Sequence, residues 1–420
     1  PLVYIEHETW FYFVSEIPGL FALCPDFEKV IDPEAIKLYM IGNFFHLPHH
    51  ISFFQWVKKL QNAGYLIIKN GKILEKWRYA KLTPSAIQEP KDEVQFLDTI
   101  LDEMRPSDVG FASFLSGGID SSYICSVLKS HETTPTEAYT LKISENDRDY
   151  ARSKHVAEKL DLHHHTIELS DFDSLQSVDQ TVKNLWEPYF HITSVYADKI
   201  LQEAKKDHKV FFTWAGWDEC YYGYDNILFI LMEYYFRLER YIPNSIKHLL
   251  DKCTAQKYTP IIFSNRKTFK HNYYTANYGK ISSFFSDPTP PTRLIKNITD
   301  DTSEFIHSDD YRDTSYMYGL FLENLHSLTI QWDVIGMKNS IEIRSLFLEK
   351  RVIERAYGIS FWKKVSLLRL REWKEILRKW LIKIFGRDFV YAQKIGFWVH
   401  YDFRKVFEEQ YGKIIQEKIE

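Results

Sequence analysis

Between Phe111 and Lys129 the chain reads as a strand, a tight turn and a helix, and the turn is Ser116-Gly117-Gly118-Ile119-Asp120-Ser121-Ser122. Glycines let a backbone turn sharply and approach a ligand closely. The start of a helix presents unpaired N–H groups and the positive end of the helix dipole, so an anion fits there. Ser116, Ser121 and Ser122 add hydroxyl donors, and Asp120 offers a carboxylate for the Mg²⁺ that phosphates bring. The bland alternative is a turn with a good helix cap. No lysine follows the second glycine, so this is not the Gly-x-x-x-x-Gly-Lys phosphate loop. A second carboxylate, Asp218, follows another strand-like run at Val210 to Trp214. Asp120 and Asp218 are therefore the candidate metal ligands, both at carboxyl ends of expected parallel strands, where such sheets bind ligands.

Other groups have two readings. Glu342 and Arg344 sit two apart among Ile341, Ile343 and Leu346, as a structural ion pair or as part of a base that takes a proton from an attacking amine. Lys394 is either a solvated surface cation or a cation for charge developing in a reaction. His163, His164 and His165 suggest a metal, but the sequence shows no companion ligands, and partly exposed strand-entry residues are the expectation.

The elements that position these groups are readable. Phe111 to Leu115, Ala138 to Ile143, His164 to Leu169 and Val210 to Trp214 read as strands, and Ser121 to Lys129, Tyr150 to Leu160 and Ser194 to Lys205 as helices. Such alternation implies right-handed crossovers and a parallel sheet covered by helices on both faces. Beyond Gly223 strand signals fade, which predicts a helical carboxy-terminal half. Residues 1 to about 80 read as short strands and one helix: Trp10 to Val14 is β-prone, Pro33 to Tyr39 is helical, and Gly64 to Lys69 pairs with Lys72 to Trp77 across Asn70-Gly71. The polar stretch Leu82 to Lys91 reads as a linker. The expected division is 1–85 and 90–420.

Composition narrows the class. The chain has 420 residues with 53 basic and 57 acidic side chains, net −4, so no overall basic field points to nucleic acid. Aromatics reach 16%, which argues for large packed surfaces and against disorder. Cys24, Cys125, Cys220 and Cys253 lie far apart, with no CxxC pair, so a disulfide framework and a zinc ribbon are not expected. No apolar run reaches the ~18 residues of a membrane span, and the amino terminus has no signal-peptide pattern. A soluble, cytoplasmic protein is the expectation.

The Ser116–Ser122 turn resembles the pyrophosphate (PP) loop of ATP pyrophosphatases, enzymes with a HUP-like α/β fold that cleave ATP between its α and β phosphates. Four further blocks narrow the resemblance to the asparagine synthetase family. They are Glu145 to Ala151 followed by Leu162-His163-His164-His165; Phe211 to Tyr224; Asp333, Met337, Ser340, Glu342, Arg344, Phe347 and Leu348; and Lys394-Ile395-Gly396-Phe397. The resemblance covers roughly residues 110–400. It implies an amide ligase that adenylates a carboxylate, releases pyrophosphate, and lets an amine displace AMP. It assigns Leu115, Ser116, Gly117, Gly118, Asp120, Ser121, Ser122, Leu141, Thr213 and Trp214 to ATP, and Asp120 and Asp218 to Mg²⁺. Lys394, Glu342 and Asp218 become the catalytic set, with Glu342 matching the glutamate of β-lactam-forming relatives.

Two departures qualify the match. Where asparagine synthetases carry Gly-Glu-Gly-Ala-Asp-Glu, this chain has Trp214-Ala215-Gly216-Trp217-Asp218-Glu219, so Ala215 replaces the catalytic glutamate and aspartate as substrate is in doubt. Tyr221, Tyr222 or Glu342 then stands as the alternative base. Residue 1 is Pro, the first thiol is Cys24, expected after a strand, and residues 1–80 resemble only the later part of a glutaminase domain. Ammonia from glutamine is accordingly not expected. The preferred reading is a lasso-peptide cyclase, or similar isopeptide-forming ligase, with Trp214 and Trp217 offering apolar surface to a peptide. Its partners would be a peptide or small carboxylic acid, with a precursor peptide and companion protease, and neither nucleic acid nor membrane. The alternatives are an ammonia-using amidotransferase acting on a small acid or sugar acid, and a degenerate ATP-binding scaffold.

Overall fold

The computed structural model describes residues 2–7, 10–41, 47, 51–61, 63–80, 82, 93–131, 136–142, 147–168, 180, 183, 187, 192–221, 223, 227–254, 259–265, 268–296, 325–359 and 375–392. At the amino end β1 (Val3–Glu6) pairs antiparallel with β2 (Phe11–Val14) and with β3 (Lys58–Lys59). Two helices, α1 (Ile17–Leu23) and α2 (Pro33–Ile41), stand where one was expected, and Cys24 caps α1 rather than following a strand. Pro18 early in α1 suits a helix start. The hairpin of β4 (Gly64–Lys69) and β5 (Lys72–Arg78) forms as expected. Its turn residues Asn70 (φ 51°) and Gly71 (φ 74°) both have positive φ, as a type I′ turn requires.

These early elements are tied to later ones. Ala35, Leu38 and Phe53 share a core with Tyr274, Tyr278 and Leu294. Lys59 and Glu187, both 4% exposed, form an ion pair at 2.6 Å.

The second half of the architecture is a five-stranded parallel sheet in the order β10-β9-β6-β7-β8. Its strands are β6 (Phe111–Phe114), β7 (Glu137–Lys142), β8 (His163–Glu168), β9 (Val210–Thr213) and β10 (Glu342–Ser345). Side chains alternate across a strand. Val210 and Phe212 therefore pack with α3 (Glu93–Glu103) and α4 (Ile119–Ser130), through Leu97, Ile124 and Val127. Ala112, Phe114 and Phe211 face the other way, onto Val195 and Leu201 of α6 (Ile192–Ala204), which follows α5 (Arg148–Leu160) in the chain. Both faces of the central strands are covered, which explains why Phe111–Phe114 and Val210–Thr213 read as short, largely apolar runs.

The helices beyond β9 are α7 (Trp217–Cys220), α8 (Ile227–Leu238), α9 (Asn244–Cys253), α10 (Thr259–Ile262), α11 (Phe269–Ile281) and α12 (Leu325–Lys338). Three more follow β10: α13 (Lys350–Gly358), α14 (Glu375–Phe385) and α15 (Arg387–Tyr391). Beyond Gly223 the described chain is mostly helical, as expected, and strand β10 is an addition that the sequence did not show. It is four residues long, lies at the sheet edge, and places Glu342 and Arg344 on one face. Short charged strands are how edges are commonly protected, and they leave a weak sequence signal. Among the described residues no helix is long and apolar enough to cross a membrane.

Candidate nucleotide and metal site

The five parallel strands bring their carboxyl ends to one edge of the sheet, and β6, with the turn that follows it, is at the centre. Leu115 continues the sheet by donating its N–H to Tyr139 O at 2.8 Å, while Thr140 Oγ1 donates to Leu115 O at 2.6 Å. Ser121 Oγ accepts from Ser116 N at 3.2 Å and lies 3.1 Å from Ser116 Oγ. Ser122 Oγ donates to Gly118 O at 2.7 Å. The turn is thus held by its own hydroxyls before any ligand arrives, and Gly118 is the N-cap of α4. Gly117 has φ +69°, and a Cβ there would stand 2.7 Å from both Asp149 O and Ser153 N. Only glycine suits that position.

The amino end of α5 forms the floor of the turn. Asp147 caps it, accepting from Asp149 N at 2.9 Å and Tyr150 N at 3.0 Å. Arg152 donates from Nε to Gly117 O at 3.1 Å and from both terminal nitrogens to Phe389 O at 3.2 Å, with its guanidinium 4.2 Å from the Phe389 ring centre. Burial pulls the Arg152 pKa below its ordinary value, and the Asp149 carboxylate opposes that shift. Asp149 is 2% exposed, and neither carboxylate oxygen has a hydrogen-bond partner among the described residues. Neither Asp149 nor Arg152 stood out as a functional residue in the sequence. Their signal was present, since a charged pair at i and i+3 on a helix opening toward a phosphate turn has a reason to be there. Arg152→Ala is expected to lower stability by about 2 kcal/mol, through loss of charge-assisted bonds to two backbone carbonyls. The midpoint of urea unfolding checks this.

Beside the turn lies a half-open, mostly apolar cleft. Leu115, Ser116, Leu141 and Trp214, all expected at the nucleotide, line it together with Phe114, Tyr139 and Trp332. Aromatic walls next to an anion-binding turn suit a planar, mostly apolar group attached to phosphates. Thr213 ends β9 at the same level; it is 3% exposed, and its Oγ1 has no hydrogen-bond partner among the described residues.

The turn after β9 is the neighbour of the first, because β9 and β6 are adjacent. Gly216 has φ +93°, and a Cβ there would meet Leu348 Cδ2 at 2.5 Å. Ser345 Oγ donates to Ala215 O, fastening this turn to the end of β10. Asp218 follows in the first turn of α7, and its Oδ1 lies against Gly223, where a Cβ would approach to 1.7 Å. Asp120, 7% exposed in the first turn of α4, and half-buried Asp218 thus open two adjacent helices at the carboxyl edge of the sheet. Carboxylate oxygens are the ligands that Mg²⁺ takes, so the residue types present fit that ion.

Not every expected group is brought here. Glu342 is the first residue of β10, level with Val210, at the amino end of the strands. Its carboxylate is held from both sides by Arg344, at 2.9 and 3.1 Å, while Arg344 also donates to Met104 O. The ion-pair geometry follows from strand direction: in a parallel sheet the carboxyl end at Ser345 faces the cleft and the amino end does not. Tyr221, weighed as a base, is fully buried; its hydroxyl donates to Glu93, which Arg355 holds at 2.6 Å. Burial followed by the nearby Glu93 charge pushes the Tyr221 pKa well above its ordinary value, the wrong direction for a base. Trp217 is 1% exposed and stacks on Tyr221 with ring centres 4.1 Å apart, so of the two tryptophans only Trp214 faces the cleft. Lys394 and Tyr222 lie outside the described residues.

Several known proteins are similar to this chain. The chain is 26% identical over 387 residues to asparagine synthetase (glutamine-hydrolyzing) 1 of Bacillus subtilis (strain 168), covering 86% of this chain and 58% of that protein. It is 24% identical over 417 residues to asparagine synthetase (glutamine-hydrolyzing) 3 of the same organism, covering 94% and 62%. The chain therefore spans about three fifths of the length of these curated relatives. Among solved structures, NMN synthetase from Francisella tularensis aligns at TM-score 0.25 and 25% identity, over 33% of this chain and 59% of that one. Glutamine-dependent NAD⁺ synthetase from Acinetobacter baumannii, in complex with adenosine diphosphate, aligns at TM-score 0.26 and 11% identity, over 77% and 75%. The family model for asparagine synthase matches residues 95–419, which takes in the whole parallel sheet and both carboxylate-bearing turns: the chain belongs to the asparagine synthase family.

Proposed function

We propose that the protein is an ATP-dependent carbon–nitrogen ligase that adenylates a carboxylate, releases pyrophosphate, and joins the acyl group to an amine with release of AMP. The observation that carries this is the preformed Ser116–Ser122 turn beside the aromatic cleft, with Asp120 and Asp218 at adjacent helix starts. The N–H groups and hydroxyls of the turn bind the pyrophosphate portion, and Phe114, Leu141, Trp214 and Trp332 receive the base. Asp120 and Asp218 would hold Mg²⁺, whose charge neutralises the polyphosphate. Lys394 is assigned the cation that offsets charge at the reacting phosphorus and carbon.

The finer form of the proposal is a peptide-cyclising ligase that forms an isopeptide bond, as lasso-peptide cyclases do. Ala215 supports it: this position presents a methyl group where a glutamate tuned to a small amino acid would stand. A tethered amine gains from effective concentration and needs little more than a solvent-accessible proton acceptor. The second reading, an amidotransferase using ammonia on a small acid, is favoured by the inward turn of Trp217, which removes half of the apolar surface a peptide would use. A non-catalytic scaffold has only Ala215 on its side, against an intact phosphate turn and both carboxylates.

The expected products are AMP and pyrophosphate; ADP and phosphate as the main products would refute the ligase chemistry. Mass spectrometry of a candidate precursor peptide, incubated with ATP and Mg²⁺, distinguishes the two finer forms. Loss of one water with a cyclic fragmentation pattern supports the cyclase, and an unchanged peptide with amide formed from ammonia and a small acid supports the amidotransferase.

A further inference from the structure

The histidine run His163–His165 acquires in three dimensions the companion that the sequence did not show. Strands β7 and β8 are parallel, with Glu137 opposite His163 and Tyr139 opposite His165. Because alternate residues of a strand share a face, Glu137, His163 and His165 project to the same side, while His164 projects to the other and meets Thr140 Oγ1 at 2.8 Å. His163 Nδ1 lies 2.9 Å from Glu137 Oε1, and His165 Nε2 lies 2.5 Å from Glu137 Oε2. The three ligand atoms all lie within 4.8 Å of one another.

We propose that Glu137, His163 and His165 form a binding site for a divalent first-row transition ion of the Zn²⁺ class, which braces the edge strand β8 against β7. Two imidazoles and one carboxylate are the ligands such ions take, at ~2.0–2.2 Å, and a tetrahedral ion at that distance separates its ligand atoms by roughly 3.3 Å. Small side-chain rotations convert the present hydrogen-bonded spacing of 2.5–2.9 Å into that spacing. The side chains are open enough for an ion to enter and keep water: Glu137 is 27% exposed, His165 34% and His163 64%. The group is also held in place. Tyr139 stacks on His165 with ring centres 4.3 Å apart and planes at 11°, which fixes the plane of the imidazole. Both histidines share one carboxylate, so each must present N–H toward it, an arrangement that a single cation replaces without moving the backbone. A hydrogen-bonded triad with no ion is the competing account of the same contacts.

The site is separate from the nucleotide cleft. Glu137 and His163 begin their strands, whereas the cleft lies at the carboxyl ends; Glu137 to Leu141 spans roughly 13 Å at ~3.3 Å per residue. Tyr139, which lines the cleft on one side and stacks on His165 on the other, is the contact between them. Asp120 and Asp218, with oxygen ligands only, suit Mg²⁺, and the imidazole pair suits a softer ion, so the two sites select different metals.

Titration of the untagged 420-residue chain, stripped with chelator, with Co²⁺ and then Zn²⁺ tests the proposal. The expected result is one Co²⁺ bound per chain with the visible bands of nitrogen- and oxygen-ligated cobalt, displaced by Zn²⁺. The double variant His163→Ala/His165→Ala is expected to bind about tenfold or more weakly, and His164→Ala like the parent. Glu137→Gln keeps the side chain's shape and still accepts one hydrogen bond; it is expected to retain the parent's thermal unfolding without metal and to lose affinity by the same order. Absence of saturable binding by the parent would overturn the proposal, as would undiminished binding by the double variant or by Glu137→Gln.

Discussion

Asp120→Asn is expected to reduce ATP–pyrophosphate exchange on the order of 10³-fold while leaving thermal unfolding close to that of the parent. The substitution keeps the size of a side chain that is 7% exposed in the first turn of α4. A carboxylate at a helix amino end contributes only about 0.3–1 kcal/mol to stability, so its neutralisation cannot unfold a chain of this size. Its effect on metal-dependent chemistry is of another order, because a neutral amide does not offset the charge of a divalent ion. Ser121→Ala is the comparison. Its hydroxyl braces Ser116 and Gly118 O inside the turn, a role shared with Ser122, and the expected loss is about tenfold. Equal losses in the two variants would mean that Asp120 acts only as part of the turn.

The contrast between legible and illegible features has a physical basis. The parallel sheet and its turns were readable because each βα unit is local: a short apolar strand, a glycine turn and a helix with its own cap lie within thirty residues. The hairpin at Asn70-Gly71 was readable for the same reason. Strand β10 was not, since its partner β9 lies more than a hundred residues away and its own sequence, Glu-Ile-Arg-Ser, carries no run of apolar residues. The placing of Glu342 depended on that strand. A motif aligns a glutamate with a family position, but strand direction decides whether the side chain reaches the cleft. Trp217 and Tyr221 show a third limit: an aromatic residue beside a loop can face either way, and only the core formed by Phe347 and Glu93's partners turns these two inward. Glu137 was invisible as a companion to His163 and His165 because a parallel crossover, with all of α5 in between, separates them in sequence.

Gly117→Ala is expected to be damaging as well, though less so than loss of the carboxylate, for a reason that concerns the backbone alone. The residue has φ +69°, which costs an L-residue roughly 1–2 kcal/mol. More important is what the new methyl group meets. Asp149 O and Ser153 N would lie at 2.7 Å and Arg152 Cβ at 2.8 Å, and two of these atoms are backbone in the capped first turns of α5. A flexible side chain could move aside; a hydrogen-bonded helix turn cannot. The loop must therefore lift away from α5, which takes Gly117 O off the Arg152 Nε and shifts the N–H groups that face the phosphates. A displacement of about 1 Å at a reacting centre is enough for a loss on the order of 10²-fold. Gly279→Ala is the control. It lies within α11, a Cβ there meets nothing within 4 Å, and alanine favours a helix over glycine by roughly 0.5–1 kcal/mol. Isothermal titration with a non-hydrolysable ATP analogue should show binding lost in Gly117→Ala and retained in Gly279→Ala, with both proteins folded by circular dichroism. Retained nucleotide binding in Gly117→Ala would show that the turn does not hold the pyrophosphate, and the ligand would then have to be placed elsewhere along the carboxyl edge of the sheet.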